Sequence, residues 1–188
     1  MESLDIISKV ETAEISTTPI VPVLKPSGQV RICGDFKVSV NQYLDLIQYP
    51  LPLIEEVFER ISSGQVFSKL DLSDAYLQVE LDDESKRHVV ITTYRGLYRY
   101  NRVCFGLSSE PAIFQGIIEQ ILRTVKKVQP YSDDIALKGA NLDDHLRILR
   151  HVFPKLGQPG LKLKREKCVR STFYQVPRTH PQRRWPST

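Results

Sequence analysis

The chain has 188 residues, of which 41% are hydrophobic and 26% are charged, a balance typical of one globular domain and not of a disordered chain. No run of apolar residues is long enough to cross a bilayer, and the N-terminus is polar and acidic, so we expect no membrane association and an intracellular location, in the cytoplasm or the nucleus. The net charge of +4 permits a polyanionic partner without requiring one, and three scattered cysteines argue against a disulfide framework or a zinc site.

The first half of the chain predicts a hairpin, a helix and several strands. Apolar runs at 20–24 and 30–32 flank the turn residues 25–29, which predicts a hairpin with Lys25 at its tip. An amphipathic helix is predicted between Pro52 and Gly64 from the i, i+4 spacing of its apolar residues. Strand patterns follow at 66–72, 79–81 and 88–93.

The second half predicts two further helices around a hairpin. A helix follows Pro111, a hairpin covers 128–137, and a third helix begins at Asn141, a favourable N-cap. Helices on one side of an antiparallel sheet make an α+β domain the expected fold. Patterning stops after Cys168, so we predict one domain over 1–168 and a disordered, basic, proline-rich tail over 169–188.

Three aspartates are candidates for catalysis. Asp133 and Asp134 lie between two apolar strand patterns, and Asp71 ends another strand. Adjacent carboxylates repel each other, and a divalent metal ion is the usual remedy. If the two strands are neighbours, the three acids suit a pair of Mg²⁺ ions that activate a hydroxyl and steady a leaving phosphate. The alternative is a polar hairpin tip and an ordinary strand end.

Nine segments of the chain match a known family in order. They are 19–23 (PIVPV), 30–37 (VRICGDFK), 49–52 (YPLP), 67–78 (FSKLDLSDAYLQ), 105–109 (FGLSS), 111–115 (PAIFQ), 131–135 (YSDDI), 160–164 (GLKLK) and 166–168 (EKC). With these motifs the chain resembles the reverse transcriptase domain of gypsy-class long-terminal-repeat retrotransposons, from about residue 5 to residue 168.

The resemblance implies a right-hand polymerase: a ferredoxin-like palm with helices on one face, and part of the fingers. It implies an RNA-directed DNA polymerase that adds deoxynucleotides to a primer on an RNA or DNA template, with two Mg²⁺ or Mn²⁺ ions at Asp71, Asp133 and Asp134. The deoxynucleotide would be held by Lys25, Arg31, Ser73, Asp74, Ala75, Tyr76, Phe105 and Gly106. Tyr76 would face the sugar, although its type and spacing alone favour a core aromatic. The chain would be part of a Pol polyprotein.

Several features depart from the family pattern. Ser132 replaces an apolar residue, Cys104 stands where proline is usual, and Pro130 and Pro154 fall within a predicted strand and a predicted helix. Compared with the family, the chain looks truncated at both ends and without a thumb. The competing hypothesis is therefore a catalytically inactive retrotransposon remnant that at most binds nucleic acid.

Overall fold

The computed structural model describes residues 1–24, 28, 30–44, 49, 53–61 and 64–171. Within them are two sheets, built from nine strands. The strands are β1 (Ile7–Val10), β2 (Thr18–Leu24), β3 (Val30–Gly34), β4 (Val66–Asp71), β5 (Val90–Thr93), β6 (Gly96–Tyr100), β7 (Val128–Tyr131), β8 (Asp134–Gly139) and β9 (Val169–Ser171). The helices are α1 (Ile54–Ile61), α2 (Asp83–Lys86), α3 (Glu110–Leu122) and α4 (Leu142–Gly157).

The two sheets differ in strand direction. The four-stranded sheet has the order β7-β8-β4-β9 and is antiparallel throughout. The five-stranded sheet has the order β1-β6-β5-β2-β3, in which β2 and β5 run parallel. The described residues therefore form the expected α+β fold. None of their helices is long and apolar enough to cross a membrane.

One face of the four-stranded sheet carries the larger core. Alternation along β4 and β8 sends Leu70, Ile135 and Leu137 to this face. Helices α3 and α4 cover it with one apolar stripe each, consisting of Phe114, Ile118, Leu122, Ile148, Val152 and Leu156. Both helices thus pack on the same side of the sheet, and its other face is left for the alternate side chains.

Helix α4 begins and ends as its sequence suggests. The Asn141 side chain accepts a hydrogen bond of 2.9 Å from the Asp144 N–H, and Asp143 adds negative charge to the first turn. Pro154 lies within the helix but is exposed and four residues before the C-cap, Gln158. The helix therefore continues through a proline that removes one backbone donor.

Three predictions about the elements need correction. The strand predicted at 79–81 is reduced to a single bridge between Glu80 and Arg102, and the charged turn that follows it is α2. The partner of β5 is β6, which the strand patterns did not include. The domain extends past residue 168, because β9 pairs with β4 and satisfies its second edge. Pro50, Pro52, the turn 25–27 and the tail 172–188 lie outside the described residues.

Candidate active site

Strand pairing brings two of the three candidate aspartates together. Asp71, the last residue of β4, lies directly opposite Asp134, the first residue of β8. Asp133 precedes Asp134 in the turn, and its carbonyl accepts a hydrogen bond of 3.1 Å from the Leu72 N–H. The hairpin tip is therefore tied to the end of β4, and the three acids occupy one end of the sheet.

The two paired aspartates point away from the helices. Along β4, Leu70 faces the core, so its neighbours Lys69 and Asp71 face the opposite side of the sheet. Asp134 shares that side because residues directly opposite in an antiparallel pair project to the same face. The carboxylates thus lie on the face that α3 and α4 do not cover.

A buried glutamine holds the hairpin that carries Asp133 and Asp134. Gln115 of α3 is fully buried; its side-chain oxygen accepts a hydrogen bond of 3.0 Å from the Ser132 N–H, and its amide donates one of 3.0 Å to the Pro130 carbonyl. These two partners show that Gln115 fixes the turn to α3.

Pro130 fits its strand because of where it lies. Strand β7 is an edge strand, and Tyr131 and Asp134 close a turn of two residues. In such a hairpin the closing pair exchanges hydrogen bonds and the preceding pair, Pro130 with Ile135, does not. The proline nitrogen therefore faces outward, and no ladder hydrogen bond is lost.

Ser132 adopts a conformation that favours glycine. Its φ is 52°, at the first position of the two-residue turn, where glycine is the usual residue. Its hydroxyl lies 3.3 Å from the hydroxyl of Tyr76. The contact with Tyr76 and the bond to Gln115 hold Ser132 from both sides, so the serine does not leave the turn unsupported.

Tyr76 is a core residue with a polar end at the site. Its ring is buried and packs edge-on against Phe105 at 5.6 Å and Phe114 at 5.2 Å between centroids. Burial, with a smaller contribution from the negative charge of Asp133, raises the pKa of Tyr76 to about 12. The phenol therefore stays neutral and can donate a hydrogen bond beside Asp133.

Asp71 and Asp133 lose their protons less readily than isolated aspartates do, because their pKa values are raised. Partial burial raises the pKa of Asp133, and the charges of Asp134 and Asp71 raise it further, against the Tyr76 hydroxyl and Arg31, which lower it. Burial also raises the pKa of Asp71, and Asp134 adds to this, while Lys167, Lys69 and Lys164 act in the opposite direction. The negative charge at this end of the sheet is thus concentrated and only partly compensated.

Two lysines supply that compensation, and neither was predicted to belong to the site. The Lys69 ammonium lies 2.8 Å from an Asp134 carboxylate oxygen, and the Lys167 ammonium lies 3.8 Å from an Asp71 carboxylate oxygen. The signal for Lys69 is its position, two residues before Asp71 on the same face of β4. No group of three or more acidic, histidine or cysteine side chains within the described ranges is arranged to hold a metal ion.

Arg31 joins the five-stranded sheet to Phe105, which packs against the core of the four-stranded sheet. It belongs to β3, and its guanidinium carbon lies 4.1 Å from the centroid of the Phe105 ring. This stacking is a cation–π contact of the kind that keeps an arginine in place without an ion pair. Lys25, predicted to act with Arg31, lies outside the described residues.

The loop that contains Phe105 and Gly106 is fixed by hydrogen bonds on both sides. The Gly106 carbonyl accepts from the Asn41 amide at 2.7 Å, and the Gly106 N–H donates to Glu110 at 3.0 Å. Gly106 has a φ of +104°, and a Cβ there would lie 2.6 Å from the Gly34 carbonyl oxygen. Glycine is therefore required at position 106. Burial, opposed by the Gly106 hydrogen bond, raises the pKa of Glu110 to about 7.

The segment after Asp71 is folded back on the chain. The Ser73 N–H donates to the Lys162 carbonyl at 3.0 Å, Asp74 has a φ of 45°, and Ala75 is buried at the start of a short 3-10 helix, Ala75–Gln78. The Ser73 N–H is thus already bonded within the protein, and the predicted contact of Ser73 and Asp74 with the nucleotide stays a prediction.

The matched family model is described as reverse transcriptase (RNA-dependent DNA polymerase) and covers residues 23–185. Over 90% of this chain, an uncharacterized protein of Caenorhabditis elegans, K02A2.6, is 37% identical to it. The retrovirus-related Pol polyprotein from transposon 297 of Drosophila melanogaster is 33% identical over 80% of it. The chain spans 13% and 14%, respectively, of these two longer proteins.

Solved structures share the fold. A foamy viral protease-reverse transcriptase in complex with double-stranded DNA matches with a TM-score of 0.82 at 24% identity, over 89% of this chain and 29% of that one. The same kind of protein in complex with an RNA/DNA hybrid matches with a TM-score of 0.77 at 23% identity, over 87% and 22%. The right-hand polymerase fold expected from the motifs is thus confirmed, while assignment to the gypsy class stays a prediction. The chain belongs to the reverse transcriptase family.

Proposed function

We propose that the chain carries the nucleotidyl-transfer site of an RNA-directed DNA polymerase, with Asp71, Asp133 and Asp134 as its carboxylates. The supporting observation is the register of β4 and β8, which sets Asp71 opposite Asp134 on the face of the sheet opposite α3 and α4. The substrates would be deoxynucleoside triphosphates and a primer on an RNA or DNA template, and the chain would act as part of a Pol polyprotein.

Reverse transcriptases generally use divalent metal ions, and the three acids fit such ions by their chemistry. Carboxylate oxygens are hard ligands of the type that Mg²⁺ and Mn²⁺ prefer. Burial, and to a smaller extent the negative charge of the neighbouring aspartates, raises the pKa values of Asp71 and Asp133, and bound cations would offset that charge. We propose that these three residues hold two such ions, which when bound would activate the primer 3′-hydroxyl and neutralise the leaving pyrophosphate.

The remaining residues would position the nucleotide. Arg31, held on the Phe105 ring, would offer its guanidinium to the triphosphate, and Lys25 would assist it. The loop at Gly106 would support the base, since its two hydrogen bonds fix the backbone before substrate arrives. Tyr76 would limit the space for a 2′-hydroxyl, because its phenol end lies beside the turn that carries Asp133.

Primer extension tests the proposed activity. Purified protein is assayed on an oligo(dT)-primed poly(rA) template with Mg²⁺ or Mn²⁺, beside the Asp133→Asn/Asp134→Asn variant. The Asp82→Asn/Asp83→Asn variant is a matched control, since it makes the same change at the exposed start of α2. We expect extension by the wild type and by the control only. Extension by neither, from folded protein, would favour the catalytically inactive remnant.

Metal binding is tested separately from activity. Mg²⁺ or Mn²⁺ should raise the melting temperature of the wild type in proportion to the logarithm of its concentration once the site begins to fill. The Asp133→Asn/Asp134→Asn variant should show a smaller increase, and the Asp82→Asn/Asp83→Asn control should match the wild type. Equal shifts in all three proteins would refute the assignment of the ligands.

A further inference from the structure

A basic groove runs between the end of α3 and one side of α4. We define it by Lys126, Lys127, Arg147, His151 and Lys155, which line a pocket of about 310 Å³ together with Asp144 and neighbouring residues. Lys126, Lys127, Arg147 and His151 are exposed, and Lys155 is half-buried. The groove is therefore open to a ligand from solution.

The charge of the basic groove is strongly positive. Among the described residues that line it, Asp144 is the acid, and its carboxylate already accepts from the Lys127 ammonium at 2.7 Å and the Ala140 N–H at 2.9 Å. Within the described part of the chain, the side chains of Lys126, Arg147 and Lys155 have no ion-pair partner. Four cations, Lys126, Lys127, Arg147 and Lys155, thus share one acid, Asp144, on this surface, and the excess positive charge favours the binding of an anion.

The shape of the basic groove fits a chain of anions better than a single ion. Arg147, His151 and Lys155 are four residues apart on one helix, so they follow each other at about 6 Å along its axis. Lys155 also lines a second pocket of about 310 Å³ with Gln158 and Pro159. The two pockets share Lys155, so the concave surface continues along the helix for roughly 20 Å, measured at 1.5 Å per residue.

The basic groove is separate from the aspartates. It lies on α4, whose Ile148, Val152 and Leu156 pack on the covered face of the four-stranded sheet. Asp71 and Asp134 project from the opposite face of that sheet. A ligand in the groove therefore occupies a different surface from a primer and template at the acids.

We propose that the basic groove binds the phosphate backbone of a nucleic acid strand outside the catalytic cleft. A row of cations complements a row of phosphates, and the described residues of the lining include no Phe, Tyr or Trp on which a base could stack. Binding is then independent of sequence and weakens steeply with salt. The groove holds nucleic acid behind the palm, independently of any chemistry at the acids.

A salt series on the full chain tests the proposal. The Arg147→Ala/Lys155→Ala variant is compared with Lys9→Ala/Arg95→Ala, which removes two exposed cations from the five-stranded sheet. Alanine preserves the helix in the groove variant, and both control positions are exposed, so both variants should fold. Binding of a labelled mixed-sequence DNA oligonucleotide is followed by fluorescence anisotropy without divalent metal. The slope of log Kd against log salt should decrease by about 1.4 in the groove variant, since two phosphate contacts are lost on a single strand. Slopes equal to that of the control would overturn the proposal.

Lysine footprinting locates the contact directly. DNA should protect Lys126 and Lys155 from acetylation, measured by mass spectrometry, and leave Lys9 unprotected. The protection should persist in the Asp133→Asn/Asp134→Asn variant, which separates this site from the proposed polymerase activity. Absence of protection at Lys126 and Lys155, or equal protection by poly-glutamate at the same charge concentration, would overturn the assignment to nucleic acid.

Discussion

Replacement of Gln115 by leucine should destabilise the protein and disturb the hairpin that carries two of the acids. Leucine has a similar volume but cannot bond to the Ser132 N–H or the Pro130 carbonyl. The Pro130 carbonyl keeps a second donor, the Gln129 amide at 3.2 Å, so loss of the hydrogen bond from Gln115 costs about 1 kcal/mol. The Ser132 N–H loses its bonding partner, at about 1–3 kcal/mol. We therefore expect the free energy of unfolding to fall by about 2–4 kcal/mol.

Urea unfolding measures this change against a matched substitution. Gln120→Leu makes the same replacement on the exposed side of α3, where we expect an effect within about 0.5 kcal/mol. Gln115→Leu should also reduce primer extension under conditions in which it remains folded, because the turn at Asp133 is no longer fixed to α3. A free energy of unfolding within about 0.5 kcal/mol of that of Gln120→Leu would refute the view that Gln115 supports the hairpin.

Three further changes follow from the structure. Pro154→Ala restores a donor to the Arg150 carbonyl inside α4 and should raise the free energy of unfolding, by up to about 3 kcal/mol, in urea denaturation. Burial lowers the pKa of His145 in the folded chain, so at a pH below its pKa in the unfolded chain the unfolded state binds more protons. The free energy of unfolding should therefore decrease as the pH decreases, by at most about 1.4 kcal/mol per pH unit. This dependence on pH should be weaker in His145→Gln. The pKa of Asp133 is raised in the folded chain, so its negative charge destabilises the fold above that pKa. Asp133→Asn should therefore raise the melting temperature at neutral pH but not in acid, where both the aspartic acid and the asparagine are neutral. An unchanged melting temperature at neutral pH would contradict this.

Local patterns in the sequence predicted the parts of the fold that are determined locally. Alternation along β4 and β8 and the apolar stripes of α3 and α4 are visible in single segments, so the α+β class and the strand ends at Asp71 and Asp134 could be predicted from them, whereas the palm was implied by the family resemblance. Strand β6 was not predicted because its turn with β5, Tyr94-Arg95, contains none of the usual turn residues. Strand β1 owes its place to pairing with β6, far along the chain.

The supports of the candidate site depend on contacts that no local pattern reveals. Gln115 reaches a turn seventeen residues later, and the bond between the Asn41 amide and the Gly106 carbonyl joins residues 65 positions apart. The basic groove is formed by side chains from two segments, near Lys126 and near Lys155, whose cations are unremarkable in either segment alone. Charge clusters of this kind emerge only when helix packing sets the segments side by side.

The lysines beside the acids explain how the site can persist with no bound cation. Asp71 and Asp134 lie opposite each other, and like charges so placed destabilise a strand pair. Lys69 offsets this from the same face of β4, with its ammonium 2.8 Å from Asp134, and Lys167 approaches Asp71 at 3.8 Å. Such ion pairs at a partly accessible surface contribute on the order of 1 kcal/mol, so a divalent ion that binds more strongly can displace an ammonium at small cost. Lys69 therefore stabilises the strand pair, and a metal ion at the proposed site would have to displace its ammonium from Asp134.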